Sequence, residues 1–142
     1  MPEIEFAFLA DAASTEPAQK FHVLGGGVQR IAGRSLPVVH PHLSLVVGLT
    51  VAAPEIGRPH ELRIVVLDPD GKEIASAEGS IVPHGHADGR DTLLTFSVDL
   101  WNLTFPAPGD YSVRLLVNGS ERKRLPLIVS VVGDGSDRRP DA

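Results

Sequence analysis

Apolar and polar residues alternate with a period of two along most of this chain, the signature of strands with one buried face. The clearest run is residues 42–51, where Leu43, Leu45, Val47, Leu49 and Val51 alternate with Ser44, Gly48 and Thr50. Residues 4–10 set Ile4, Phe6 and Phe8 against Glu5 and Ala7, and residues 92–100 set Leu94, Phe96, Val98 and Leu100 against Thr95, Ser97 and Asp99. Residues 62–67 are apolar on both faces and read as a strand central to its sheet. Residues 73–81 are poorer in apolar side chains and read as a return strand near an edge. A short strand over 20–24 carries Phe21 and Val23 on one face. Gly25, Gly26 and Gly27 then interrupt a pattern that resumes over 28–32, as a bulge or bend in one long strand would.

The intervening stretches carry turn chemistry. Residues 11–17, 34–41, 53–59 and 83–91 read as loops or connections, and Asp68-Pro69-Asp70-Gly71 as a tight turn. The stretch 105–132 reads as turn, strand, hairpin and closing strand, with Tyr111, Val113, Leu115 and Val117 facing inward. Asn118-Gly119 is a hairpin signal. A bare two-residue turn, however, would set Arg122 and Arg124 opposite Leu115 and Val113 on the buried face, so an odd-length loop is expected. One such loop pairs Val113 and Tyr111 with Lys123 and Leu125; a loop one residue later pairs them with Leu125 and Leu127. No stretch keeps a helical period over three turns. Eight to nine strands spaced about ten residues apart predict an all-β, antiparallel β-sandwich.

Composition narrows the class. The chain has 142 residues, 42% of them hydrophobic and 22% charged, which suits one globular domain over 1–132. Residues 133–142 hold no anchoring large apolar side chain and read as a disordered tail. A net charge of −5 argues against a nucleic-acid partner. The one basic run, Arg122-Lys123-Arg124, reads as a solvated hairpin edge that discourages aggregation. There is no cysteine, hence no disulfide or thiolate chemistry. The acidic start does not resemble a signal peptide and no apolar run is long enough for a spanning helix, so a cytoplasmic protein without a membrane partner is expected.

Candidate chemistry is sparse. Gly25-Gly26-Gly27 lacks the spacing and following helix of a phosphate loop, Asp68-Pro69-Asp70-Gly71 lacks the later ligands of a calcium loop, and His60-Glu61 lacks the second histidine of a zinc-protease helix. Two His-x-His elements remain, His40-Pro41-His42 and His84-Gly85-His86. Alternate residues on an extended chain point the same way, so each pair could present two imidazoles to one metal, with His84 and His86, near Asp88 and Asp91, preferred as candidate metal ligands over His40 and His42. The bland alternative is surface histidines among six in the chain. No catalytic signature and no cofactor motif is found. Trp101, the single tryptophan, reads as a cap on the core at the rim of the sandwich, with a partner anchor as the alternative. Asn102-Leu103-Thr104 matches a glycosylation sequon, a coincidence where there is no secretion signal.

Pro108-Gly109-Asp110-Tyr111-Ser112-Val113 resembles the tyrosine-corner region of immunoglobulin-like and fibronectin-like sandwiches. That resemblance implies that the Tyr111 hydroxyl satisfies a nearby backbone group. Valine rather than cysteine at 113 departs from true immunoglobulin domains. Residues 3–132 also resemble an uncharacterised bacterial family of small β-sandwich proteins of unknown function. The resemblance is carried by Phe8-Leu9-Ala10-Asp11, Val23-Leu24-Gly25-Gly26-Gly27, residues 55–68, and Gly109-Asp110-Tyr111 with Pro126-Leu127. It implies no activity and no catalytic residue.

The expected function is a non-enzymatic protein-binding or assembly module, with a protein partner or self-association through an edge strand or a loop end. The outward Val46, Val65 and Leu67 read equally well as an apolar dimer face or as residues covered by a sheet or loop of the same chain. Alternatives are a metal-binding protein or metal-dependent enzyme using His84 and His86, and a carbohydrate-binding module using Trp101 and Tyr111.

Overall fold

The computed structural model describes residues 2–16, 20–85 and 88–132. Among them are nine strands: β1 (Glu3–Thr15), β2 (Phe21–Gly26), β3 (Arg30–Gly33), β4 (Val38–Val51), β5 (His60–Leu67), β6 (Glu73–Ile81), β7 (Thr92–Phe105), β8 (Gly109–Val117) and β9 (Ser120–Val131). They form a four-stranded sheet in the order β2-β1-β4-β7 and a five-stranded sheet in the order β3-β9-β8-β5-β6. All pairings are antiparallel except β3 with β9. A single 3-10 turn, Ala53–Glu55, interrupts this all-β plan. The tail at 133–142 lies outside the described residues.

The core lies between the sheets. Leu43, Leu45, Leu49 and Val51 of β4 are fully buried and pack with Leu9, Leu100 and Phe105 from their own sheet. They meet Ile64, Val66, Val113, Leu115 and Leu127 from the other. The Phe105 and Tyr111 rings close one end edge-to-face at 4.9 Å. Tyr111, 2% exposed, donates its hydroxyl proton to the carbonyl of Ala107 at 2.7 Å. This is the bond expected of a tyrosine corner.

Several local features differ from the sequence reading, each for a physical reason; residues 38–41, read as part of a connection, begin β4 because β7 supplies partners for them, and four more follow. First, the glycine run is a crossing between sheets rather than a bend in one strand. β2 ends in the four-stranded sheet and β3 begins in the five-stranded one. Gly25 and Gly27 take φ of 64° and 85°, where a side chain would be strained. The amides of Gly27 and Val28 both bond to the Leu9 carbonyl. Second, residues 11–15 continue β1 instead of looping, because β2 folds back and pairs Ala12 to Leu24 and Thr15 to Phe21. Tertiary pairing overrides the turn propensity of Asp11 and Ser14.

Third, the closing hairpin does turn on two residues. Asn118 and Gly119 both have positive φ, 49° and 84°, as that turn requires, and Val117 pairs with Ser120. The register conflict is resolved one step later. The ladder shifts between Leu115 and Leu116, with Leu116 opposite Glu121 and Leu115 opposite Lys123, so Arg122 is the extra residue of a bulge. Val113 and Tyr111 then face Leu125 and Leu127. The inward residues are those of the later-loop alternative, achieved by a bulge and not by a longer loop. Asn118 also anchors the turn: its side chain accepts from the Glu61 amide at 2.9 Å and donates to His60 Nδ1 at 3.2 Å. His60 in turn donates from Nε2 to the Glu55 carbonyl at 3.1 Å, so this 6%-exposed histidine bolts two loops together.

Fourth, of the two readings of Val46, Val65 and Leu67, cover within the chain holds and an open dimer face does not. Val46 and Val65 are buried within the single chain, at 0% and 6% exposure, and Leu67 is half-buried. Val46 sits between Phe8 and Ser97, and Val65 between Arg114 and Ser76. Their neighbours across the sheets cover them.

Because Arg122 is surplus to the ladder, its deletion leaves a continuous two-residue hairpin with the same inward residues. The ΔArg122 chain is expected to unfold cooperatively in urea within about 1 kcal/mol of the parent. Loss of the cooperative transition would show that the bulge, not the pairing of Val113 with Leu125, sets the register.

Candidate functional site

The two sheets carry different outward faces. On the five-stranded sheet that face is an ion-pair lattice: Arg63 reaches Glu73 at 2.9 Å and Glu78 at 3.7 Å, and Glu121 receives Arg114 at 3.3 Å and Arg124 at 3.1 Å. Pairs this exposed contribute little stability each, and they mark a solvated surface. The basic run at 122–124 lies here, where β3 covers only Ile128 onward and leaves the start of β9 as a free edge.

The outward face of the four-stranded sheet is built of aromatic rings. Two of them, Phe6 and Phe8, are set by the sequence pattern on the buried side with Ile4; a register shift between Ile4 and Phe6 turns them out and gives the inward places to Ala7 and Leu9. Phe6, Phe8 and Phe21 cluster with centroids 5.6 to 6.2 Å apart. The Phe6 ring lies directly over Gly48, whose hydrogen leaves the only space for it: a Cβ there would stand 2.4 Å from the ring. Farther along the same face, strict β4–β7 register sets His42 opposite Trp101 and Ser44 opposite Asp99. Trp101 is 64% exposed. The expected core cap is therefore a surface side chain, because Leu100 takes the inward position and alternation turns Trp101 out.

This exposed indole is held in place. The His42 ring stacks on it at a centroid distance of 4.1 Å and an angle of 20°. His42 Nε2 donates to Asp99 Oδ1 at 2.9 Å, and the same oxygen accepts from the Ser44 hydroxyl at 2.9 Å. Ser44 is fully buried. The hydrogen bonds from His42, and next from Ser44, hold the Asp99 carboxyl below its ordinary value, and they outweigh the opposing effect of burial. Just beyond Trp101, Pro41 and Asn102 face each other across the pair; Asn102 takes φ of 50°, and the inward row passes from Leu43 and Leu100 to Val38, Leu103 and Phe105.

The combination of serine, histidine and aspartate is not a hydrolytic relay. In such a relay the histidine uses its two nitrogens on different partners, one on the carboxylate and one on the nucleophile. Here one nitrogen, Nε2, faces both the carboxylate at 2.9 Å and the Ser44 oxygen at 3.4 Å, and Ser44 gives its proton to that carboxylate directly. What the arrangement can do is orient: a buried hydroxyl fixes a carboxylate, the carboxylate fixes an imidazole, and the imidazole fixes an indole whose other face meets solvent.

Other sequence candidates fall elsewhere. His84 is exposed in the β6–β7 connection, and His86 lies outside the described residues. Among the described residues no group of three or more His, Cys, Asp or Glu stands ready to hold a metal. His40 lies opposite Leu103, while His42 spends its Nε2 on Asp99. Tyr111 is buried, which leaves Trp101 as the one aromatic of the proposed sugar platform. Asp68 closes its turn by accepting from the amides of Asp70 and Lys72. Among the described residues no helix is long and apolar enough to cross a membrane. An apolar slot of about 230 Å³ opens where the edges of the sheets diverge, lined by Ile64, Ala77, Ile81, Phe96 and Val98. Sequence reasoning missed Asp99 and Ser44. Their outward phase was legible, but their meeting depends on a register set by residues 55 apart.

The fold and site define a two-sheet, all-β domain with one charged face and one aromatic face. The chain belongs to a family of unknown function (DUF6941), whose model matches residues 5–130. No curated protein matches it. Among solved structures it is similar to the Pseudomonas fluorescens alkylpurine DNA glycosylase AlkC bound to DNA with an abasic-site analogue, at 13% identity and a TM-score of 0.45; the match covers 88% of this chain and 30% of that one. It is similar to the C-terminal domain of Wzt at 12% identity and 0.49, covering 90% of this chain and 72% of that one. It is similar to a β-glucosidase from Listeria innocua in complex with isofagomine at 13% and 0.44, covering 91% and 16%. The chain thus spans under a third of the glycosylase and of the glucosidase, and likeness at this level carries nothing about chemistry.

The depressed Asp99 carboxyl makes a pH prediction. A carboxyl whose folded value lies below its unfolded one stabilises above the ordinary range, and that contribution is lost as pH falls through the folded value. Asp99→Asn is expected to cost about 1 kcal/mol at pH 7, the solvent-screened part of two charge-assisted bonds. The gap from the parent closes on acidification below the carboxylate range. Urea midpoints at neutral and strongly acidic pH check this, and a gap that persists in acid overturns it. His42→Ala, which removes the stacking partner, is expected to lower the fluorescence anisotropy of Trp101 without unfolding the chain.

Proposed function

We propose that this domain is a non-enzymatic protein-binding or assembly module, immunoglobulin-like in architecture, that meets its partner with the outward face of the four-stranded sheet. The single observation that carries this reading is the contrast between the faces. One is neutralised by its own ion pairs. The other exposes Trp101 at 64% and Leu93 at 45%, on the face that carries the Phe6–Phe8–Phe21 cluster. An exposed aromatic whose orientation is already fixed loses little conformational entropy on binding, which is the physical basis of an interface hot spot.

The immunoglobulin-like assignment draws support from the β2-to-β3 crossing between sheets, the parallel β3–β9 pairing and the Tyr111 corner. On that view β1 is an additional strand inserted beside β4. A bacterial, cytoplasmic setting completes the proposal.

A photoreactive benzoyl-phenylalanine at Phe21 or Leu93 tests it against one at Glu61 or Glu78 on the other sheet. In cells of the source organism, discrete adducts are expected from the first pair and none from the second. An adduct of twice the chain mass would mean that the module assembles with itself. Adducts from the ion-paired face, equal labelling from both faces, or no adduct at all would overturn the reading.

A further inference from the structure

The strands of the four-stranded sheet carry Glu3, Glu5, Asp11 and Asp99, and not one Lys or Arg. Every cation on a strand belongs to the other sheet: Arg30, Arg63, Arg114, Arg122, Lys123 and Arg124. Of the acids on the four-stranded sheet, Asp99 is the one beside Trp101, while Glu3 and Glu5 lie at the other end of the sheet near Thr50; the opposite face is balanced by Glu61, Glu73, Glu78, Asp110 and Glu121. An aromatic face of one sign selects a partner of the other sign.

We propose that this face recognises an arginine side chain in an extended segment of the partner protein, with the guanidinium laid over the free face of Trp101. This rests on the protein-binding reading above and names its chemistry. Tryptophan is the strongest of the aromatic cation acceptors. The guanidinium is planar and weakly hydrated, so it stacks flat on an indole at lower desolvation cost than an ammonium. The underside of the indole is already occupied by His42, so the ring presents a single face. Asp99, ionised and 45% exposed, adds fixed negative charge beside that ring. Nucleic acid and anionic headgroups carry the wrong sign for this surface.

Trp101 is the only tryptophan, so intrinsic fluorescence reports this one position. The full-length protein is titrated at low salt with a capped peptide of alternating glycine and arginine. The controls are the same peptide with citrulline, lysine or glutamate in place of arginine. The arginine peptide is expected to give a saturable change that added salt weakens, with citrulline about tenfold weaker or more, lysine intermediate and glutamate silent. By calorimetry, Trp101→Phe is expected to lose most of the affinity, and Asp99→Asn a few-fold at constant salt. Equal responses to arginine and citrulline, or no saturable response, would overturn the proposal. The two readings fail separately. Crosslinks confined to Phe21 and Leu93 without arginine preference keep the module and discard the cation, whereas crosslinks from Glu61 or Glu78 discard both.

Discussion

The pairing of β4 with β7 is the constraint on which the rest depends. It runs in one register from Val38 opposite Phe105 to Val51 opposite Thr92. On its inner side it lines up Leu43, Leu45, Leu49 and Leu100 as half of the core. On its outer side the same register sets Ser44 against Asp99 and His42 against Trp101. A slip of one residue would turn every one of these side chains to the opposite face. Core and surface site are therefore specified by a single alignment, and the hydrophobic cost of a slip protects the site as well as the core. Each buried leucine or valine in this pair is worth about 1.5–3 kcal/mol. The polar contacts on the outer side, partly exposed, could not hold the register alone.

Seen from that alignment, the polar contacts are dependent features with a specific effect. Ser44 is fully buried on an outward position, which would leave a hydroxyl unsatisfied without Asp99. Asp99 spends the same oxygen on His42, and His42 spends its ring face on Trp101. The direction of dependence runs outward from the buried end. Removing the serine loosens everything beyond it, whereas removing the tryptophan leaves the inner contacts in place. An order of this kind stabilises one orientation of the exposed ring and adds little to global stability.

Much of the architecture was legible in the sequence because strand alternation is a local signal. The inner rows of β4, β7 and β8 and the edge character of β6 followed from it, and the backbone bond of Tyr111 from a resemblance to the tyrosine-corner region of known sandwiches. The errors share one cause, which is that local signals do not reveal what pairs with what. Residues 11–15 look like a loop until β2 supplies partners for them. Three glycines look like a bend until the two ends are seen in different sheets. Arg122 is the clearest case. The conflict between an Asn-Gly turn and the inward row was visible, and so was the correct row, but a bulge and a longer loop satisfy that row equally well on paper. The site was half legible: Trp101 and His42 stood out as residue types, while Asp99 and Ser44 looked like ordinary outward polar residues.

The distribution of charge adds a constraint that strand patterns do not impose. Outward positions of a half-buried sheet accept Lys, Arg, Asp or Glu about equally, and long basic side chains cover apolar surface well. Five rings or aliphatic groups are exposed along the strands of the four-stranded sheet, namely Phe21, Leu24, Val39, Leu93 and Trp101. Lysine or arginine stems would be the ordinary means of shielding them, and none is present on those strands. Solubility alone would favour such shielding, because exposed apolar groups on a sheet with free edges invite association. Acids without bases keep the face soluble by repulsion between copies and leave the rings uncovered. On the proposed reading, that combination favours a basic partner, and the charge pattern and the aromatic pattern are both accounted for by one class of occupant.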